Sequence, residues 1–208
     1  MNEKAKELLE KSGHVFMRFG IKSVTMDDVA GKLGISKKTL YQYFANKDEL
    51  VQKCIGTMCA RDQSVIDGIC KMDLNAIDQM FEISKFLVTM MQEMHPSIHF
   101  DLQKYHPEAW NELQQIKHKV IYRCTTENIA QGIKEGLYRE DLNIPVISKI
   151  YLSRFDVIFD GELFPPGEFS FTDVIWELFR YHTRGIANDE GVKYLKKKVK
   201  KERTQLHP

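Results

Sequence analysis

Cysteine is scarce in this chain, and no apolar run is long enough to cross a membrane. The four cysteines, Cys54, Cys59, Cys70 and Cys124, form no C-x-x-C pair and lack zinc spacing with histidine. They are expected to be small, buried, reduced thiols. No apolar stretch approaches the roughly 20 residues that a spanning helix needs, and the charged start MNEKAKELLEKSG does not resemble a secretory signal. These absences predict a cytoplasmic protein.

An excess of either charge is also lacking, because 30 basic residues face 29 acidic ones and the net charge is +1. Bulk charge therefore does not predict a nucleic-acid partner, and any such partner must meet a local patch. The one biased segment, KKKVKKER at 196–203, is expected to be a solvated helix end.

Motifs of catalysis and metal binding are missing as well. The sequence contains no nucleophile elbow and no glycine-rich phosphate loop. His95 and His99 are four residues apart, but Pro96 places His95 at a helix boundary, so the two are not expected to share a face. We therefore expect no enzyme activity, no cofactor and no metal.

Apolar residues recur at helical spacing along almost the whole chain, which predicts an all-α fold. The first helix is expected to end at Gly20. Thr25 with Asp28 forms a capping-box pattern, as does Asn46 with Glu49. Helix breaks are expected at these places: Ser36 with Gly34, Gly68, His95-Pro96, His106-Pro107, Gly132, Gly136, Pro145 and the loop GELFPPGEFSF.

The stretch TMDDVAGKL-GIS-KKTLYQYF, residues 25–44, has the pattern of a helix, a tight glycine-containing turn and a second helix. At about 100° per residue, Leu40 and Phe44 share one face of the second helix and are expected in the core. Lys38 and Gln42 then lie on the opposite face, with Thr39 beside them. This short helix is expected to present an acid-free surface to a DNA major groove.

The residue types on that surface suit DNA. Lysine can bond guanine, glutamine can pair with adenine, and hydroxyl groups suit phosphate oxygens. Lys47 stands in the first turn of the next helix, where the macrodipole disfavours a cation but a bound phosphate would favour it.

The segment FGIKSVTMDDVAGKLGISKKTLYQYFANKDEL resembles the DNA-binding domain of the TetR family of bacterial transcription regulators. The resemblance implies phosphate contacts from Thr25, Thr39, Tyr41, Tyr43 and Lys47, and base contacts from Lys37, Lys38 and Gln42. Ser36, in the Gly-Ile-Ser of the motif, completes the candidate DNA-binding set. Lys38 departs from the family pattern, in which a small residue is common.

The resemblance also implies two domains and a homodimer. A three-helix helix-turn-helix domain is expected at residues 1–47, and a larger helical domain for effector binding and dimerisation at 48–208. The final two long helices of each subunit, here in 145–161 and 171–186, are expected to pack as a four-helix bundle. A dimer also fits a palindromic operator in double-stranded DNA. The candidate interface residues are Ile147, Tyr151, Phe155, Ile158, Trp176 and Phe179.

Methionines and aromatic residues concentrate in the middle helices and could line a pocket for an unidentified small-molecule effector. Candidate lining residues are Met90, Met94, His99, Tyr105, Trp110, Tyr122 and Phe155. The same pattern is also typical of plain helical core.

We interpret the sequence as that of a repressor that a small molecule releases from its operator by shifting the helix that begins at Asn46. A DNA-binding protein of the same fold without an inducer, or an activator, is the alternative.

Overall fold

A computed structural model describes residues 2–165 and 167–206, and their side chains other than those of 156 and 201–206. Ten helices lie in these residues: α1 Glu3–Phe19, α2 Met26–Lys32, α3 Lys37–Tyr41, α4 Lys47–Cys70, α5 Ala76–Gln92, α6 Ile98–Tyr105, α7 Pro107–Lys134, α8 Ile144–Val157, α9 Phe171–Ile186 and α10 Asp189–Leu206. No named strand occurs in the described ranges, so the all-α prediction is confirmed. No helix in that part of the chain is both long and apolar enough to cross a bilayer.

The helices form two compact units. The first comprises the residues up to Val65 together with Met90–His118, and the second comprises Ile66–Thr89 together with the residues from Lys119 onward. Helices α4, α5 and α7 each contribute to both units. A functional boundary at residue 47 remains a prediction.

Local capping bonds define the short helices of the first unit. Thr25 Oγ1 accepts from the Asp28 amide at 3.2 Å, and the Asp28 carboxylate accepts from the Thr25 amide at 2.8 Å, so the predicted capping box forms. Ser36 Oγ accepts from the Thr39 amide at 3.0 Å and begins α3. Gly34 has a φ of 69°, in the left-handed region that glycine adopts readily, and this allows the tight turn between α2 and α3.

Helix α3 is shorter than the predicted eight residues, since it ends at Tyr41 and Gln42 is its C-cap. The chain must turn within the five residues 42–46 to begin α4. That turn is held by the Glu49 carboxylate, which accepts from the Ala45 amide at 2.6 Å rather than from the amide of Asn46. Asn46 still caps α4 by accepting from the Glu49 amide at 2.9 Å.

Two predicted helix breaks are wrong, because Gly68 lies inside α4 and Gly132 inside α7. Gly132 provides space: a Cβ there would lie 2.1 Å from the ring of Tyr138. Tyr138 is buried and donates to Asn128 Oδ1 at 3.2 Å. The lack of a side chain at Gly132 therefore allows Tyr138 to pack in the core of the second unit.

The expectation that residues 171–186 form the last long helix is also wrong, because α10 follows α9. Asn188 Oδ1 caps α10 by accepting from the Gly191 amide at 3.0 Å, and Leu195 is buried in the core of the second unit. The basic segment at 196–203 lies in α10, although the side chains of 201–203 are outside the described residues. Its helical conformation follows from this buried face and cap.

Candidate DNA-binding surface and effector cleft

The position of α3 is set by the core beneath it. Leu40 and Phe44 are fully buried in the cluster that holds the first unit together. Phe44 N–H also donates to the Leu40 carbonyl at 3.1 Å, so the backbone stays nearly helical beyond the end of α3. With these two side chains anchored inside, Lys38 and Gln42 lie exposed on the other side.

The exposed surface of α3 has an acidic neighbour that its own sequence does not show. Lys37 Nζ forms an ion pair with Asp27 of α2 at 2.8 Å. This contact raises the pKa of Lys37, chiefly through the hydrogen bond to Asp27. Lys37 therefore differs from Lys38, because its charge is already partly compensated in the protein alone.

The hydroxyl groups expected at phosphates are engaged in local bonds. Thr25 Oγ1 lies 2.6 Å from Asp28 Oδ2, to which it donates, and Thr39 Oγ1 lies 2.8 Å from Ser36 Oγ. Tyr41 is 42% exposed, and Tyr43 is half-buried with its ring 6.4 Å from that of Phe44. Tyr43 thus packs beside the core, whereas Tyr41 offers an exposed ring.

Lys47 lies half-buried in the first turn of α4, where its Nζ donates to the Lys22 carbonyl at 3.5 Å. Desolvation is the largest effect on this ammonium group and lowers its pKa, although nearby carboxylates oppose the shift. A phosphate at this helix end would replace some of the lost solvation.

Helix α6 secures the reading head, a name used here for α1, α2 and α3 with the turns between them. Asp101 is buried, and its Oδ2 atom accepts from the amides of Ile21 at 3.0 Å and Lys22 at 2.9 Å. Ser97 Oγ donates to the same oxygen at 3.0 Å. One carboxylate therefore fixes the turn between α1 and α2.

The first unit contains a cleft of about 1050 Å³ between α1, α4 and the end of α5. Four methionines line it: Met17, Met58, Met90 and Met94. Charged side chains also line it, namely Lys6, Glu10, Arg18, Arg61 and Glu93. Its volume suits a drug-sized molecule.

Only Met90 and Met94 of the predicted pocket residues line this cleft. His99 packs edge-to-face against Trp110 with ring centroids 5.6 Å apart, and burial lowers its pKa to about 4. Tyr105 OH lies 2.7 Å from Lys22 Nζ, which donates to it. These three residues belong to the first unit.

The remaining two predicted pocket residues belong to the second unit. Tyr122 is half-buried on α7, and Phe155 packs with Val88, Ile158 and Ile175. The two lining methionines that the prediction missed, Met17 and Met58, lie on α1 and α4. Their helical spacing alone could not distinguish them from core.

The predicted dimer residues divide into two groups. Tyr151, Phe155, Ile158 and Phe179 are buried within the chain's own second unit, whereas Ile147 and Trp176 are half-buried. A different set of apolar residues is exposed on α8 and α9: Val146, Ile150, Val157 and Tyr181. The three exposed residues of α8 lie on one face, since their spacings of four and seven match the helical period.

Helices α2 and α3, joined by the turn at Gly34, form a helix-turn-helix whose second helix exposes Lys38 and Gln42. Residues 8–54 match the family model described as bacterial regulatory proteins, tetR family. This N-terminal segment is therefore similar to the DNA-binding region of the TetR family of bacterial transcriptional regulators.

The comparisons extend beyond the reading head. The sequence is 26% identical to the HTH-type transcriptional repressor KstR2 of Mycobacterium tuberculosis over 151 residues, which are 71% of this chain and 75% of the relative. A transcriptional regulator from Cytophaga hutchinsonii has a similar structure, with a TM-score of 0.74 at 16% identity over 90% of this chain and 100% of the other. A protein from Saccharomonospora viridis, solved in complex with choline, gives 0.72 at 15% identity over the same shares. The two structural likenesses show the fold.

Proposed function

We propose that the protein is a homodimeric repressor that binds a palindromic operator and releases it when a small molecule binds. The observation that carries the proposal is the exposure of Lys38 and Gln42 above the buried Leu40 and Phe44. The name of KstR2, a repressor, supports the sign of regulation. Operator binding would take place in the cytoplasm, where the bacterial chromosome lies.

In the proposed complex, Lys38 and Gln42 reach base edges, because their side chains extend from the side of α3 that faces away from the core. Lys37 is the third base-contacting candidate, although it must share its charge with Asp27. The remaining candidates contact phosphates or hold the backbone that contacts them: Thr25, Ser36, Thr39, Tyr41, Tyr43 and Lys47. Base contacts would give specificity, and phosphate contacts would give affinity for any duplex.

The test compares base-contacting with phosphate-contacting variants on DNA selected by the purified protein from a random pool. Lys38→Ala or Gln42→Ala should reduce discrimination between selected and random duplex by about 1–3 kcal/mol per lost contact. Lys47→Ala should weaken both duplexes alike. Lys85→Ala is a matched control, because it removes one exposed lysine from α5 and should change neither.

Equal losses on selected and random DNA for Lys38→Ala, Gln42→Ala and Lys47→Ala would contradict this division of roles. Failure to enrich any sequence from the pool would contradict operator binding itself.

The effector is proposed to bind the cleft between α1, α4 and the end of α5. Its methionines adapt to apolar ligands of different shapes, and its charged lining provides groups for a polar end. A ligand here would contact α1 and α4 directly, and α4 begins at Lys47 beside the reading head. Release then requires that the ligand bind more tightly to the α4 position that does not fit the operator.

A thermal-shift screen of small molecules tests this site, followed by a cleft-filling variant. Met94→Trp should abolish stabilisation by a hit compound while the unliganded protein still binds DNA. Met72→Trp is the matched control, because Met72 is 55% exposed and outside the cleft. If a hit stabilises Met94→Trp as well as the original protein, the cleft is not its binding site. If no stabilising compound alters the DNA affinity, the protein has no inducer among the compounds tested.

The dimer interface is proposed on α8 and α9, around the exposed face of Val146, Ile150, Val157 and Tyr181. The six residues predicted from the sequence would support this face from within the subunit, namely Ile147, Tyr151, Phe155, Ile158, Trp176 and Phe179. Exposed apolar residues at helical spacing suit burial against a second copy.

A further inference from the structure

Two of the four cysteines meet in the second unit, where the end of α4 packs on α7. Arg123 of α7 donates to Asp67 of α4, which places Cys124 close to Cys70, three residues after Asp67. A hydrogen bond between the two thiols is also the largest influence on the pKa of each. Cys70 is the last residue of α4 and is half-buried, whereas Cys124 is buried in α7. The reading-head function uses neither residue.

An ion pair beside the thiols joins α4 to α7. Arg123 donates to the carboxylate of Asp67, and the same guanidinium donates to Cys124 Sγ at 3.9 Å. Asp67 and Cys70 are three residues apart and therefore lie on one face of α4. The ion pair thus joins the two helices beside the thiols, and the contact of Arg123 with Cys124 lies within α7.

We propose that Cys70 and Cys124 are an oxidation site, at which a hydroperoxide converts the two thiols into an intrachain disulfide. Disulfides that form in reducing compartments are usually transient redox links rather than permanent ones. The chain leaves its helix directly after Cys70, so the small movement that brings the two sulfurs into bonding distance involves only a helix end.

The chemistry begins at Cys70, the more accessible sulfur. The hydrogen bond to Cys124 lowers the pKa of Cys70 and raises that of Cys124. Cys70 is thereby favoured as the thiolate, although Asp67 and Glu127 oppose its charge. The thiolate is the nucleophile in such reactions.

Oxidation of the pair takes two steps. The Cys70 thiolate attacks one peroxide oxygen, the O–O bond breaks, and the other oxygen takes a proton and leaves as an alcohol or water. Cys124 Sγ then attacks the sulfenic sulfur of Cys70, the S–O bond breaks, and the hydroxide takes up the Cys124 proton and leaves as water. The peroxide gains two electrons and the thiol pair loses two.

The other two cysteines serve as internal controls. Burial raises the pKa of Cys54 to about 12 and that of Cys59 to about 11, so both thiols stay protonated near neutral pH. Cys54 is also buried, and its Sγ donates to the Leu9 carbonyl at 3.4 Å.

The experiment treats the reduced full-length protein with a small excess of hydrogen peroxide near neutral pH, blocks the remaining thiols with an alkylating agent and analyses the digest by mass spectrometry. Alkylatable thiols should fall from four to two, with a Cys70–Cys124 peptide lighter by two hydrogens that dithiothreitol separates. Cys54→Ser and Cys59→Ser should retain this link. Cys124→Ser should instead leave a sulfenic acid at Cys70 that dimedone traps.

Arg123→Gln tests the positioning of the pair, because it removes the ion-pair partner of Asp67 and leaves both thiols in place. It should form the same disulfide more slowly than the original protein. Full alkylation of Cys70 and Cys124 after peroxide treatment, or a link that involves Cys54, Cys59 or a second chain, would overturn the proposal.

The effect on regulation rests on the proposed function, whereas disulfide formation does not. A disulfide would tie the end of α4 to α7, and α4 begins at the reading head, so oxidised protein should bind the selected operator about tenfold more weakly, a difference of about 1.4 kcal/mol. Equal affinity of oxidised and reduced protein would refute the regulatory role alone. A reduced protein that binds no DNA would refute the proposed function and leave the oxidation site intact.

Discussion

The carboxylate of Asp101 offers a sharp test of how the reading head is held. Asp101→Ala would remove the one oxygen that accepts from Ile21 N–H, Lys22 N–H and Ser97 Oγ. Ile21 is only 1% exposed, so water does not readily replace the lost acceptor at its amide. Hydrogen bonds to a charged group contribute about 1.5–3 kcal/mol, and a buried donor left unsatisfied costs about 1–3 kcal/mol.

One lost charged hydrogen bond and one buried amide left unsatisfied together predict that Asp101→Ala lowers the free energy of unfolding by about 2.5–6 kcal/mol. Asp101→Asn should be much milder, about 1 kcal/mol, because all three bonds use Oδ2 and an amide oxygen can occupy that position. Gln103→Ala is the matched control on α6, since Gln103 is exposed and should have no effect.

Urea unfolding of the three variants measures these differences, and amide hydrogen exchange at Ile21 and Lys22 locates them. Exchange at both amides should accelerate in Asp101→Ala, and operator affinity should fall with it because the turn leads to the N-cap of α2. The reasoning fails if Asp101→Ala unfolds within about 1 kcal/mol of the original protein, a value typical of an ordinary neutral hydrogen bond. It fails equally if Asp101→Asn is as damaging as the alanine variant.

Three further predictions follow from burial and exposure. Burial lowers the pKa of His182 to about 4 from 6.5. The unfolded chain therefore binds the extra proton first, and the free energy of unfolding should fall as pH drops from about 6.5 to about 4. His182→Phe should flatten this slope in urea titrations, and an unchanged slope would contradict the assignment. Gly132→Ala should lower the unfolding free energy by about 1–3 kcal/mol because its Cβ would overlap the Tyr138 ring. Gly185→Ala should raise it by up to about 1 kcal/mol, because a Cβ there meets open space. Similar melting temperatures for the two variants would refute this contrast. Ile150→Glu should convert the proposed dimer to monomer in sedimentation experiments without loss of helicity, and an unchanged dimer would exclude this face.

The reading head could be predicted from the sequence because its determinants are local. The bonds between Thr25 and Asp28 and between Ser36 and Thr39 each span three residues, and a left-handed glycine suits the turn at Gly34. Each of these features is visible within a single turn of chain. The buried positions of Leu40 and Phe44 follow from helical spacing in the same way.

Features that depend on how helices cross could not be predicted in this way. The contact of Lys37 with Asp27 joins two helices across ten residues, and a helical wheel of α3 alone shows no acid. Gly132 is predicted as a helix break because glycine commonly ends helices, whereas the ring that requires a glycine there belongs to Tyr138, beyond the end of α7. In both cases the partner lies on another element, whose direction the local pattern does not specify.

Only the end of helix α10 was predicted, and its buried face was overlooked for a different reason. Its many lysines suggested a solvated end, although Val192, Leu195 and Val199 recur at three- and four-residue spacing after the cap Asn188. This weak apolar pattern was available in the sequence. The high charge of the segment describes only its exposed face.

The ion pair of Lys37 with Asp27 has a consequence for how salt acts on the complex. Each phosphate that a protein neutralises releases condensed counterions and adds about 0.9 to the slope of log affinity against log salt. A lysine that already neutralises a carboxylate contributes to this slope only if that pair opens, and the freed Asp27 then faces the phosphates with its own negative charge. The ionic-strength dependence of the regulator should therefore be shallower than its number of DNA-facing cations suggests, and operator binding should weaken less steeply as cellular salt rises.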